Sequence, residues 1–248
     1  MILIKSAAEI EIMRAAGRVV GQVLEAVSRA VKPGVSTASL DRQAEEMARS
    51  LGAVPAFKGY RGYPYALCCS VNEQVVHGFP GPAPLKEGDI LSMDFGVVLD
   101  GFYGDAATTV AVGQISPQAL ALLEATEASL TAGIAQCRPG NHLGDVSSAV
   151  QKVVEAAGFS VVRQFVGHGI GRGLHEDPQV PNFGQPGRGV RLKAGMVLAI
   201  EPMVNAGGYE VRILQDGWTA VTVDGKLSAH FEHTVAVTAD GPRILSLP

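Results

Sequence analysis

Cysteine is scarce in this sequence: Cys68, Cys69 and Cys137 are the only three among 248 residues, and no pair stands at C-x-x-C spacing. An odd count without that spacing excludes a disulfide framework and a thiolate zinc site, and predicts a reducing, cytoplasmic setting. No stretch of eighteen apolar residues occurs, so no membrane-spanning helix is expected. The opening MILIKSAAEIEIM lacks the basic region, apolar core and small-residue cleavage site of a secretory leader. Lys and Arg number 20 against 24 Asp and Glu, a net charge of −4, and they nowhere gather into a stripe that would track phosphates, which argues against direct nucleic-acid binding. What is plentiful is punctuation, with 30 glycines and 14 prolines in a chain that is 47% hydrophobic and long enough to bury a substantial core.

The stretch that organises the rest is GDILSMDFGVVLDGFYGDAATTVAV, Gly88 to Val112. Two β-rich runs flank Asp100-Gly101, a dipeptide suited to the positive φ of a two-residue type I′ turn, so the segment predicts a tight hairpin. That register sets Leu99 opposite Phe102 and Asp94 opposite Ala107, with Asp105 diagonal to Asp94 on the same face. Diagonal neighbours lie roughly 7–8 Å apart. Two buried carboxylates aimed at one point repel unless a cation sits between them. Taken alone, each Asp is as well explained by an arginine partner or a turn.

Ser6 with Glu9 forms a capping box, and Ile10, Met13, Val20, Val23, Leu24 and Val27 recur at helical spacing up to Lys32-Pro33-Gly34. A second helix is predicted from Ser36 or Thr37, burying Leu40, Ala44, Met47 and Leu51 and ending at Gly52. FKGYRGYPYALCCSVNEQVVHGFPG then has the composition of a shaped loop entering a sheet. After the hairpin, Ser116-Pro117 opens a helix predicted to reach Cys137, and another carries Val146, Val150, Val153 and Val154 to Gly158. The second pair of helices repeats the first. Pro33-Gly34 matches Pro139-Gly140, Leu40 matches Val146, Ala44 matches Val150 and Gly52 matches Gly158 at one offset, and one residue of slippage later Leu85 matches Leu192 and Asp94 matches Glu201. The expectation is an α+β chain of two pseudo-twofold-related helix-helix-strand halves, about 1–112 and 113–248, in one catalytic domain with a site between the halves.

Val197, Ala199 and Glu201 share one strand face in GMVLAIEPMV, and His230, Glu232 and Thr234 share one in AHFEHTVAVT. Between them VGHGIGRGLHEDPQVP predicts a compact glycine-rich loop that presents His168 and His175, while its G-x-G-x-G spacing is a weak match to a phosphate cradle. Singly, these histidines read as satisfied core residues and these glutamates as ion-paired. Together, Asp94, Asp105, Glu201 and Glu232 would concentrate about four negative charges that the few basic candidates, such as Arg212, cannot balance, and two divalent cations could.

The motifs CSVNEQVVHGFPG, MDFGVVLDGFYGD, GHGIGRGLHEDPQVP, IEPM and FEHTVAV, in this order, make the chain resemble the type I methionine aminopeptidases of the pita-bread (creatinase/aminopeptidase) fold, in their short bacterial form. The resemblance spans essentially the whole chain. It implies Asp94, Asp105, His168, Glu201 and Glu232 as ligands of two divalent ions, Co²⁺, Mn²⁺, Fe²⁺ or Zn²⁺, with Asp105 and Glu232 shared. It implies His77, His175 and Glu201 as catalytic residues, with the histidines also contacting substrate, and Tyr60, Tyr63, Cys68, Leu174 and Trp218 as the lining of a methionine pocket. Leu174 stands where relatives often carry an aromatic, and Phe57 where they carry smaller or sulfur-bearing residues. The implied activity is hydrolytic removal of the initiator methionine from peptides and nascent proteins with a small second residue, by a monomer working in proximity to the ribosome. The rival readings are an Xaa-Pro peptidase and a non-catalytic peptide-end binder on the same fold.

Overall fold

Helix pairs and strands alternate twice along the computed structural model, which describes residues 1–248. The first round is α1 (Ala7–Ala30), α2 (Thr37–Ser50), β1 (Val54–Pro55), a 3-10 turn at Tyr60–Gly62, β2 (Leu67–Val71), β3 (Gln74–Val76), β4 (Ile90–Leu99) and β5 (Phe102–Ala111). The second is α3 (Pro117–Ala135), α4 (Leu143–Ala156), β6 (Ser160–Val161), β7 (Gly167–Gly169), β8 (Glu176–Val180), β9 (Val197–Ile200), β10 (Met203–Asn205), β11 (Val211–Ile213), β12 (Ala220–Thr222), β13 (Ser228–His230), β14 (Glu232–Thr238) and β15 (Gly241–Ile244). No helix is long and apolar enough to cross a membrane.

Local chemistry explains the helix limits. Ser6 and Glu9 close the capping box at the start of α1, and all six residues of its predicted apolar stripe are buried. Ser36 caps α2 through the Ser39 amide, and Gly52 takes φ +79° just past its end. Two expectations shift. Leu51 is 40% exposed because it lies beyond the last turn, where the chain leaves the core, and Ala48 is buried one turn earlier. The third helix stops at Ala135, so Cys137 is buried from the connection that follows.

A nine-stranded antiparallel sheet runs β1-β4-β5-β14-β9-β7-β8, with β2 also on β4 and β15 also on β14. Two three-stranded sheets, β13-β10-β6 and β11-β12-β3, flank it. Helix α1 lies on β4 and β5, and α3 packs on α4. One core gathers Val20, Val23, Leu40, Met93 and Phe95, and a second gathers Leu122, Val146, Val150, Leu198 and Ile200.

The repeat seen in sequence recurs in contacts. Gly34 N–H donates to Leu85 O and Leu85 N–H to Val35 O, while Gly140 N–H donates to Leu192 O and Leu192 N–H to Asn141 O. An isolated bridge joins Ser36 to Pro84, and its counterpart joins His142 to Arg191. Within the large sheet the two halves meet where β5 pairs with β14, through only Glu232–Ala107 and His233–Ala106, and in a flanking sheet β3 pairs with β12.

Candidate metal centre

The β4–β5 hairpin has the register that Asp100-Gly101 predicts, with φ of +50° and +75° at those residues and Asp94 opposite Ala107. Ala107 also pairs with Glu232, and Cys68 with Asp94, so Cys68, Asp94, Ala107 and Glu232 form one row across four strands. Side chains in such a row leave the same face. Asp105, two residues from Ala107, joins that face. Glu201 follows the last residue of β9, and its backbone oxygen accepts from buried Asn182 Nδ2.

His168 departs from the loop expected of its glycine-rich surroundings. It sits in β7, paired with Ala199 of β9 and Gln179 of β8. Its flanking glycines serve strand packing, because a Cβ at Gly167 would collide with the Ala199 carbonyl and one at Gly169 with the Asp177 carbonyl. The Nδ1 of His168 lies 2.9 Å from the Gly169 carbonyl, so Nδ1 carries the proton and the Nε2 lone pair faces Glu201 Oε1 at 3.4 Å. His230 Nε2 approaches Glu201 Oε2 at 3.7 Å.

Ligand atoms of Asp105, His168 and Glu232 lie within 4.8 Å of one another, as do those of Glu201, His230 and Glu232. None of the four acids has a lysine or arginine partner, and Arg212 is exposed on β11, away from them. Burial pushes the Asp94 carboxyl up to about 7, and pushes Asp105, Glu201 and Glu232 well above the usual carboxylate range. Burial likewise lowers His168 and His230 to about 3. Asp94 Oδ1, Asp105 Oδ1, Glu232 Oε1 and His230 Nε2 are buried with no hydrogen-bond partner. Desolvated acceptors left unpaired in this way are costly. An oxygen-rich set with neutral imidazole suits a divalent cation, and the donors present fit one.

His230 is the member that sequence reasoning passed over. The signal was its alternation with Glu232 and Thr234, obscured by a break at Phe231 between β13 and β14. Thr109 Oγ1 holds its backbone at both N–H (2.9 Å) and carbonyl (2.8 Å).

The acids floor a cavity of about 160 Å³ whose walls include Phe57, Tyr60, Tyr63, Cys68, Leu174 and Trp218, with His77, His168 and His175 and, also unforeseen, Arg61. Thus every residue that the resemblance implies as a metal ligand, catalytic group or pocket wall borders this one space. Tyr63 is buried, donates to the Gly78 carbonyl at 3.0 Å and packs edge-on against Trp218 and Phe79. Tyr60 Oη lies 2.9 Å from His175 Nδ1, with the rings stacked at 5.4 Å, and the His175 ring sits 4.3 Å from that of His168. Burial, then Arg61, lowers the His175 pKa. His77 takes φ +60°, uncommon for a non-glycine residue, and burial, then His175, lowers it to about 4.

Residues 11–239 match the model of metallopeptidase family M24. The chain is 58% identical over 247 residues to a methionine aminopeptidase of Clostridium perfringens, covering 100% of this chain and 99% of that one. It is 53% identical to methionine aminopeptidase 1 of Bacillus subtilis, over 99% of each. The crystal structure of a methionine aminopeptidase from Thermotoga maritima superposes with a TM-score of 0.98 at 50% identity over the whole of both chains. The architecture shared with these structures is the pita-bread fold, an α+β arrangement of two related halves around a curved antiparallel sheet.

Proposed function

The chain belongs to metallopeptidase family M24 and is an aminopeptidase that hydrolyses N-terminal methionine from polypeptides, and from that premise we propose that the acid-floored cavity is its active site. Asp94, Asp105, His168, Glu201 and Glu232 would hold two divalent metal ions, with Asp105 and Glu232 shared and His230 close by. Mn²⁺, Fe²⁺, Co²⁺ and Zn²⁺ all suit these donors. When bound, the ions supply the Lewis acidity that activates water and polarises the scissile carbonyl.

The protein's own groups do the rest. Glu201 accepts the water proton and passes it to the leaving amine. With Tyr60 donating to Nδ1, His175 keeps its proton on Nε2 and gives a hydrogen bond to the carbonyl oxygen as negative charge grows there. His77 holds the nitrogen of the scissile bond. Tyr60, Tyr63, Cys68, Leu174 and Trp218 receive the methionine side chain, where aromatic rings and sulfur favour a thioether. The preference proposed for this site is for substrates with a small second residue.

One observation carries this reading: four acids, Asp105 and Glu232 buried and Asp94 and Glu201 half-buried, converge with no basic side chain to neutralise them, and three of them keep an unpartnered oxygen. The test is turnover of Met-Ala-Ser by protein stripped with a chelator and reconstituted with Mn²⁺ or Co²⁺. Methionine release that depends on the added metal is expected. An inactive protein under these conditions would favour a peptide-end binder on the same fold.

A further inference from the structure

Within the large sheet the line where the halves meet is thin. Strand β14 pairs with β5 only through Glu232 and His233, and from Val235 onward the same edge of β14 is taken by β15, so the two partners part at Thr234. Continuing the register would set Thr234 opposite Asp105. There the side chain takes over from the backbone ladder: Thr234 Oγ1 donates to the Asp105 carbonyl at 2.7 Å and accepts from the Asp105 N–H at 3.1 Å. The main chain of Thr234 turns instead to the segment after β15. Its N–H donates to Ser246 Oγ at 3.1 Å, and its carbonyl accepts from the Leu245 N–H at 2.8 Å. Ser246 Oγ also lies 2.9 Å from His233 Nδ1. Thr234 and Ser246 are almost wholly buried, at 0% and 2% exposure. Residues 245–248 are seated on α1, where a Cβ at Gly17 or Gly21 would collide with their backbone.

We propose that Thr234, locked by Ser246, is a positioning residue that sets the separation of Asp105 and Glu232 across the seam and so tunes the affinity of the metal centre. The physical reason is that the two ladder pairs are flanked by one threonine hydroxyl at each end, Thr109 on the His230 backbone and Thr234 on the Asp105 backbone, so without Thr234 the Asp105 end of β5 has no tie to the strand that carries Glu232. The hydroxyl ties Asp105's own backbone to the strand that carries Glu232, and the 245–248 segment prevents that strand from sliding. This inference rests on the metal site proposed above.

The experiment is calorimetric titration of Mn²⁺ into chelator-stripped protein, with the visible absorption of the Co²⁺ form as a second readout. Thr234→Val keeps the side-chain shape and removes both hydrogen bonds, and should weaken Mn²⁺ binding by roughly 10–100-fold, the usual cost of losing a group that orients ligands. Its Co²⁺ spectrum should change as well. Thr234→Ser restores the hydroxyl and should bind close to wild type, while Ser246→Ala should weaken binding in the same direction as Val. Wild-type affinity and spectrum in Thr234→Val overturn the inference, as does a Ser variant as weak as Val. Should Thr234→Val not fold, wild-type binding by Ser246→Ala overturns it instead. A wild-type protein that binds no Mn²⁺ removes the metal site and this inference with it, whereas tight binding by both wild type and Val sinks the inference alone.

Discussion

Asp94 and His175 separate the two kinds of work done at the level of single residues. Asp94 lies in a strand whose register is fixed by the Asp100-Gly101 turn and by nine other pairs with β5, so its charge is not needed for the hairpin. Asp94→Asn should therefore fold, by circular dichroism, yet lose metal-dependent turnover of Met-Ala-Ser, and full activity would refute its assignment. His175→Ala should lower kcat far more than it changes KM, by about 2.7–4 kcal/mol if it acts as an oxyanion donor. An effect confined to KM would mark it as a binding residue. Asp94, Asp105 and Glu232 were legible because acids in apolar strands conflict with burial. His230 was not, because a histidine beside Glu232 has a satisfactory core explanation until its unpartnered Nε2 is seen 3.7 Å from Glu201.

At the scale of elements, what is local was readable and what is long-range was not. Capping at Ser6 and Ser36, the proline-glycine stops and the hairpin turn are written in adjacent residues. The β5–β14 pairing joins residues more than a hundred positions apart and has no local signature; only the repeat hinted that two strands must meet. His168 looked like a loop residue because alternating glycines usually mark one, whereas here they let β7 lie close against β8 and β9. Similar closeness governs α1 on the sheet. A Cβ on Gly104 of β5 would come 2.8 Å from Gly17 N and 2.9 Å from Ala16 C, both backbone atoms that cannot swing aside. Gly104→Ala should therefore lift the helix and cost about 1–3 kcal/mol in urea unfolding, the usual penalty of overpacking. A stability equal to wild type would show that α1 is not held so tightly.

For the whole molecule, the converging acids make stability depend on pH and metal together. Without metal, Asp94 is raised to about 7 and Asp105, Glu201 and Glu232 well above their ordinary range, so the folded protein binds more protons than the unfolded chain, whose carboxyls titrate near about 4. Stability then falls as pH rises through the folded values. Buried His77, His168, His230 and His233, lowered to between about 3 and about 4, oppose this only below the unfolded value of about 6.5, where the unfolded chain binds the extra protons. Between pH 7 and 8, above the histidines' unfolded value and below the unfolded value of about 8.5 of the three cysteines, whose thiols burial also raises, the carboxyls act alone: the melting temperature of metal-free protein should drop, and saturating Mn²⁺ should suppress the drop. A flat profile without metal would contradict the burial of these acids.

The most direct measurement is an anomalous-scattering map from crystals grown with Mn²⁺. Two peaks are predicted on the cavity floor, between the carboxylates of Asp94, Asp105, Glu201 and Glu232, with His168 Nε2 against one of them. No peak there, or peaks bound only by surface acids, would contradict the account.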